Sequence, residues 1–172
     1  MADARRMTHD GAQLIGLVWR LVREGVFNRD DFVITGSARM LATGHRRRLS
    51  DIDIVARGET WRRTVELVRF GQGYTERTAI SGAKVVRLCE GMVEVCDHWF
   101  MPESDTDELI DRADDIEGLR YMSLQDLKAY KEHLDRPKDR IDLALLERRT
   151  RPAAATLPTC ALPERGNQLV GV

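Results

Sequence analysis

Apolar positions along the chain switch between two spacings. From His9 to Phe27 they recur as Leu14, Ile15, Leu17, Val18, Leu21, Val22 and Phe27, a helical stripe whose end Gly25 weakens. Phe32 to Thr35 is a strand-forming run. Ala38 to Thr43 follows as a short helix, with Gly44 as its C-terminal stop. Asp51 to Ala56 alternates polar and apolar, as a strand does. Thr60 is placed to cap a helix carrying Trp61, Val65, Leu67 and Val68, and Gly71-Gln72-Gly73 breaks it. Tyr74 to Thr78 is strand-like. Lys84 to Cys89 and Met92 to His98 form a predicted hairpin across Glu90-Gly91. Asp105 to Asp115 is acidic, with Leu109, Ile110 and Ala113 on one side of a short helix; Leu119 to Met122 is a brief extended piece. Ser123 opens a further helix, with Asp126 at the capping-box position and Leu124, Leu127, Tyr130 and Leu134 as its stripe. Pro137 suits the first turn of a last helix running to about Arg149.

Strands and helices mixed in this order predict an α/β fold: a mixed sheet flanked by helices, ending in a C-terminal helical pair. Residues 1–150 make one domain with a core of its own. Residues 1–8 are expected to fray. Residues 151–172, with three prolines, an alanine run and few large apolar side chains, are expected to form a disordered tail.

The formal net charge of −1 gives no global pull toward nucleic acid or an anionic membrane. Three cysteines without metal-ligand spacing argue against a disulfide framework or a zinc site. Cys89 and Cys96 are expected on neighbouring strands as small buried residues. No apolar run reaches membrane-spanning length and no signal-peptide core opens the chain, so a reducing cytoplasm is the expected location.

The chemistry gathers at two short segments. Asp51 and Asp53 share one face of a strand, roughly 7 Å apart, while Ile52 and Ile54 take the other. Two like charges so placed invite a cation, and oxygen-only ligation suits Mg²⁺ or Mn²⁺. Just upstream, Gly36 lets the backbone approach a ligand, and Ser37 with the amides after it can receive phosphate. The basic arm His45 to Arg48 leads into the aspartates, and Arg48 is a candidate phosphate contact. Lys128 and Lys131 lie on one helix face. Lys131, Lys138 and Asp139 are either a salt-bridge set at a helix junction or, through Lys131, a neutraliser of phosphate charge.

Gly36-Ser37, thirteen intervening residues, then Asp51-Ile52-Asp53 resembles the signature of the DNA-polymerase-β-type nucleotidyltransferase superfamily. A second segment, Ser123 to Leu146 with Arg136-Pro137-Lys138-Asp139 at its centre, resembles the C-terminal helical part of small bacterial nucleotidyltransferases, including stand-alone and toxin-like members. Together the resemblance spans about residues 30–147. It implies Mg²⁺- or Mn²⁺-dependent transfer of a nucleoside monophosphate from an NTP, such as ATP, to an acceptor. Asp51, Asp53 and a third carboxylate would be catalytic metal ligands, and Gly36, Ser37, Arg48 and Lys131 would bind nucleotide.

Glu94 and Asp97 compete for the third place. Val93 and Val95 belong to the core, so Glu94 projects to the face expected of Asp51 and Asp53, and Val-Glu-Val also fits the resemblance. Asp97 falls on the valine face unless a bulge near Cys96 resets the alternation. Glu94 is the favoured assignment. The acceptor stays open among a small molecule, tRNA and protein, and the resemblance admits an antitoxin-like partner. An alternative is a catalytically inactive nucleotide-binding regulator of the same fold.

Overall fold

The computed structural model describes residues 7–78, 82–101 and 105–150. The expected tail, residues 151–172, and Cys160 lie outside the described residues. The elements are β1 (His9–Asp10), α1 (Gly11–Arg23), β2 (Phe32–Thr35), α2 (Arg39–Ala42), β3 (Arg48–Leu49), β4 (Ile52–Ala56), α3 (Gly58–Arg69), β5 (Gly73–Arg77), β6 (Lys84–Leu88), β7 (Val93–Cys96), α4 (Thr106–Asp111), β8 (Asp114–Ile116), β9 (Leu119–Tyr121), α5 (Leu124–Leu134) and α6 (Pro137–Thr150). Single 3₁₀ turns cover Gly36–Ala38 and Cys89–Gly91.

Seven strands form one mixed sheet in the order β5-β6-β7-β4-β2-β9-β8, and β1 pairs with β3 in a separate two-stranded ribbon. The α/β architecture with a C-terminal helical pair is therefore the observed one. Strand alternation divides the side chains between two faces. Phe32, Ile34, Ile52, Ile54, Val93 and Val95 pack with Leu14, Val18 and Leu21 of α1, whose buried positions keep the helical spacing read from the sequence. Val33 and Val55, on the other face, pack with Leu109 and Ile110 of α4, Leu127 of α5 and Leu146 of α6. Further along that second face the apolar residues give way to Thr35, Asp53 and Glu94, and the candidate site begins there.

Four local readings change. Thr60 does not cap α3: Arg57 is the N-cap residue. Thr60 is buried, and its hydroxyl accepts from the Asn28 amide at 2.9 Å. The acidic helix ends at Asp111, and Asp114–Ile116 forms β8, hairpinned to β9 through Glu117 and Gly118, both at positive φ. A pattern dominated by solvated acids hid that edge strand. Cys89 lies in the tight turn after β6, where Cys89, Glu90 and Gly91 all take positive φ, so only Cys96 is on a strand. His9 and Asp10, assigned to the first helix, are a strand and its capping residue: the Asp10 carboxylate accepts from the Ala12 amide at 2.8 Å.

Candidate functional site

The antiparallel pairing of β2 with β4 sets Thr35 opposite Asp53, and the parallel pairing of β4 with β7 sets Asp53 opposite Glu94. On the other side of Glu94, across the β6–β7 hairpin, stands Arg87. Residues paired in register share a face. Asp51, one residue before β4, has the same parity as Asp53. The result is a carboxylate wall on one end of the sheet.

This wall bounds a cavity of about 390 Å³. Lys131, Arg136 and Lys138, from α5, α6 and their connection, line the same cavity, and so do Gly36 and Ser37. An aromatic end completes it. Trp99, Phe100 and Tyr130 meet pairwise with ring centroids 5.3–5.7 Å apart. One cavity thus offers acids, cations and ring faces.

Of the acids, Asp53 is the most perturbed. Its side chain is half-buried by area yet hemmed in by protein. Burial first, then the charges of Asp51 and Glu94, push its pKa up to about 7, against the smaller opposing pull of Lys138 and Arg87. Arg87 reaches the other two: its guanidinium lies 2.7 Å from Glu94 Oε2 and 3.7 Å from Asp51 Oδ2, and its Nε donates to Glu76 at 2.6 Å. Ser50 also donates to Asp51 at 2.7 Å. Among the described residues no ion pair closes on the Asp53 carboxylate. Nearby, burial pushes the Cys96 thiol up to about 12, which leaves it protonated and inert. Burial, then the charge of Asp53, also pushes the Tyr130 phenol up.

The Gly36-Ser37 turn is fixed by the protein itself. Gly36 sits at φ +60°, and a Cβ there would stand 2.7 Å from Asp53 Oδ2. The demand for glycine thus comes first from a close approach to Asp53 rather than to a ligand. Ser37 Oγ accepts from Lys131 Nζ at 3.1 Å and donates to Asp142 Oδ2 at 3.2 Å. Lys131, whose side chain is only 1 % exposed, also bonds Asp142 at 2.7 Å and Asp139 at 3.3 Å. Arg46 closes on Asp142, and Arg136 on Asp139 at 2.6 Å. Burial pushes Asp139 up, but the hydrogen bond from Arg136 and the charge of Lys131 outweigh it and hold the carboxyl below its usual range.

Of the residues singled out from sequence, Gly36, Ser37, Asp51, Asp53, Glu94 and Lys131 meet at the one cavity. Arg48 does not: it lies exposed on β3 and bonds Thr8. Asp97 lies past the end of β7, is exposed, and lines a separate cleft with Arg57 and Trp61. Sequence reasoning missed Arg87, and it gave no role to Arg46 of the basic arm or to Arg136 and Asp142 of the second resembling segment. Arg87 had a signal: it stands three before Glu90 and Glu94 three after Gly91, so a hairpin centred on that dipeptide pairs them.

No protein-family model matches the chain, and no curated protein or solved structure matches it either. The site therefore has to be judged on its own chemistry. Among the described residues no three acidic, histidine or cysteine side chains converge closely enough to hold a metal ion as they stand; Arg87 lies between two of the three acids. The donor set itself fits a hard cation: Asp51, Asp53 and Glu94 are all oxygen ligands, and Asp53 is a crowded carboxylate short of positive charge. No helix among the described residues is long and apolar enough to cross a membrane.

Proposed function

We propose that this protein is a metal-dependent nucleotidyltransferase that moves a nucleoside monophosphate from an NTP to a hydroxyl or phosphate acceptor. The observation that carries this reading is the register that sets Asp53 beside Glu94, with Asp51 on the same face, in one cavity that Lys131, Arg136 and Lys138 also line. Asp51, Asp53 and Glu94 would hold Mg²⁺ or Mn²⁺. When bound, such an ion neutralises phosphate charge and makes an acceptor hydroxyl easier to deprotonate. Lys138 and Arg136 face the region a triphosphate would occupy and would offset its charge. Lys131 contributes positive field while remaining bonded to Ser37, Asp139 and Asp142. Trp99, Phe100 and Tyr130 offer ring faces on which a nucleobase can stack. In the reaction the acceptor oxygen bonds to the α-phosphorus, the bond from that phosphorus to the bridging oxygen breaks, and pyrophosphate leaves.

A second reading has one observation in its favour. Arg87 neutralises Asp51 and Glu94 together, as would suit a protein that holds nucleotide without turnover.

The test incubates the protein, Mg²⁺ and each α-labelled NTP in a lysate that supplies acceptors, asking which fraction takes up label. Label transfer should fall about a hundredfold or more in Glu94→Gln and stay near wild type in Asp97→Asn. The reverse pattern would move the third carboxylate to Asp97. Binding without transfer would favour the second reading, and no Mg²⁺-dependent NTP binding at all would remove both.

A further inference from the structure

Arg87 is unusual among the charges at the cavity. Its side chain is 11 % exposed, and its three nitrogens go to three different carboxylates: Glu94, Asp51 and Glu76. Two of these, Asp51 and Glu94, belong to the set that the nucleotidyltransferase reading assigns to a divalent cation. The third, Glu76 on edge strand β5, is half-exposed and lies toward the outer side of the sheet. Arg87 stands at Glu94 Oε2 and Asp51 Oδ2, so a divalent cation drawn to those oxygens meets the repulsion of the guanidinium and competes with it for their negative charge. The planar fork of arginine does allow Nε to keep one partner while the other nitrogens lose theirs.

Resting on that reading, we propose that Arg87 is a positioning residue that stands in for the divalent cation in the nucleotide-free protein. It yields Asp51 and Glu94 only when metal and triphosphate enter together. Glu76 retains it on displacement, and the freed nitrogens then face the incoming phosphate charge. Metal alone must displace a cation without replacing its partners. Metal with triphosphate supplies new anionic partners for Arg87. The arrangement therefore couples the two binding events.

The test is Mn²⁺ binding to the full chain, followed by the spin-resonance signal of free Mn²⁺, with and without a mixture of non-hydrolysable NTP analogues. Wild type should take up Mn²⁺ weakly alone and much more tightly with analogue. Arg87→Gln should bind Mn²⁺ alone about tenfold more tightly or better, and the gain from analogue should shrink. Arg87→Lys, which keeps the charge but not the fork, should bind Mn²⁺ alone about as weakly as wild type and gain less from analogue. Glu76→Gln removes the retaining carboxylate from an exposed position. It should weaken Mn²⁺ binding in the presence of analogue with little change in melting temperature. Equal Mn²⁺ affinity in wild type and Arg87→Gln, with the analogue effect intact in both, would overturn the inference and leave the nucleotide reading standing. An unchanged or tighter Mn²⁺–analogue complex in Glu76→Gln would overturn it as well. Absence of Mn²⁺ uptake by every variant in either condition would remove the inference together with the reading beneath it.

Discussion

At the helix junction Lys131, Arg46 and Arg136 meet Asp139 and Asp142, each acid bonded to at least two cations and both acids essentially fully buried. On the sheet, Asp51, Glu94 and Glu76 share one arginine, and no ion pair among the described residues closes on Asp53. Both groups reach the same cavity, the first through Lys131 and Arg136. The first sets three cations against two acids, each acid doubly paired, and locks α5 and α6 onto the Gly36-Ser37 turn. The second crowds acids together, and burial with the charges of Asp51 and Glu94 pushes the Asp53 pKa up to about 7. A closed set in which every acid is paired resists change, whereas crowded carboxylates repel one another and favour an added positive charge.

The widest separation between the two should come from Lys131→Met. It leaves Asp139 and Asp142 short of charge in a closed interior, and should cost about 3–5 kcal/mol in denaturant unfolding. A variant as stable as wild type would show that the junction is not a locked set. Gly36→Ala comes next: strain at φ +60° and the contact with Asp53 should cost about 1–3 kcal/mol, read by the same unfolding curves. NTP binding should fall with it, because Asp53 must move.

Asp53→Asn should act in the opposite direction. Asp53 is raised from 3.8 to about 7, so between those values the folded state keeps a proton that the unfolded chain has released. Wild-type stability therefore falls as pH rises through that window. In chelator at pH 8 the variant should be about 1–2 kcal/mol more stable than wild type. The gain should vanish as pH drops toward 4. A melting series across pH checks this, and a pH-independent difference would deny the crowding of the carboxylates. The smallest change is expected from Ser37→Ala. It loses one hydroxyl between Lys131 and Asp142 but leaves their direct bond, and should cost about 0.5–1.5 kcal/mol.

The parts of this fold that were legible in the sequence are those where packing and alternation agree. Val93 and Val95 must go to the core, so Glu94 must face the other way, and the register with β4 then puts it beside Asp53. Ser123 and Pro137 mark helix starts through local geometry that neighbouring elements do not override. Arg48 failed for a long-range reason. The ribbon of β1 with β3 turns that arginine toward Thr8, and no pattern near Arg48 announces a pairing with a two-residue strand. Arg46 and Asp142, 96 positions apart, meet only because α6 folds back over the turn after β2. The Ser37 hydroxyl, expected from its neighbours to contact phosphate, is engaged by residues about a hundred positions away, which nothing near Ser37 announces.

That distance sets an order on the making of the molecule. Ser37 finds its partners 94 and 105 residues later in the chain. When β2 and β4 leave the ribosome, their carboxylates are present but the loop that closes the cavity has nothing to hold it. The sheet can assemble around them as β6 and β7 emerge, at the entropic cost of each long closure. Met122 comes first and accepts from the Gly36 amide at 3.2 Å, but the Ser37 hydroxyl remains unanchored until Lys131 and then Asp142 have been synthesised and α6 has docked. A nascent or prematurely terminated chain ending before Asp142 would carry every acid of the site and still lack its floor, so the pocket comes into being with the last helix.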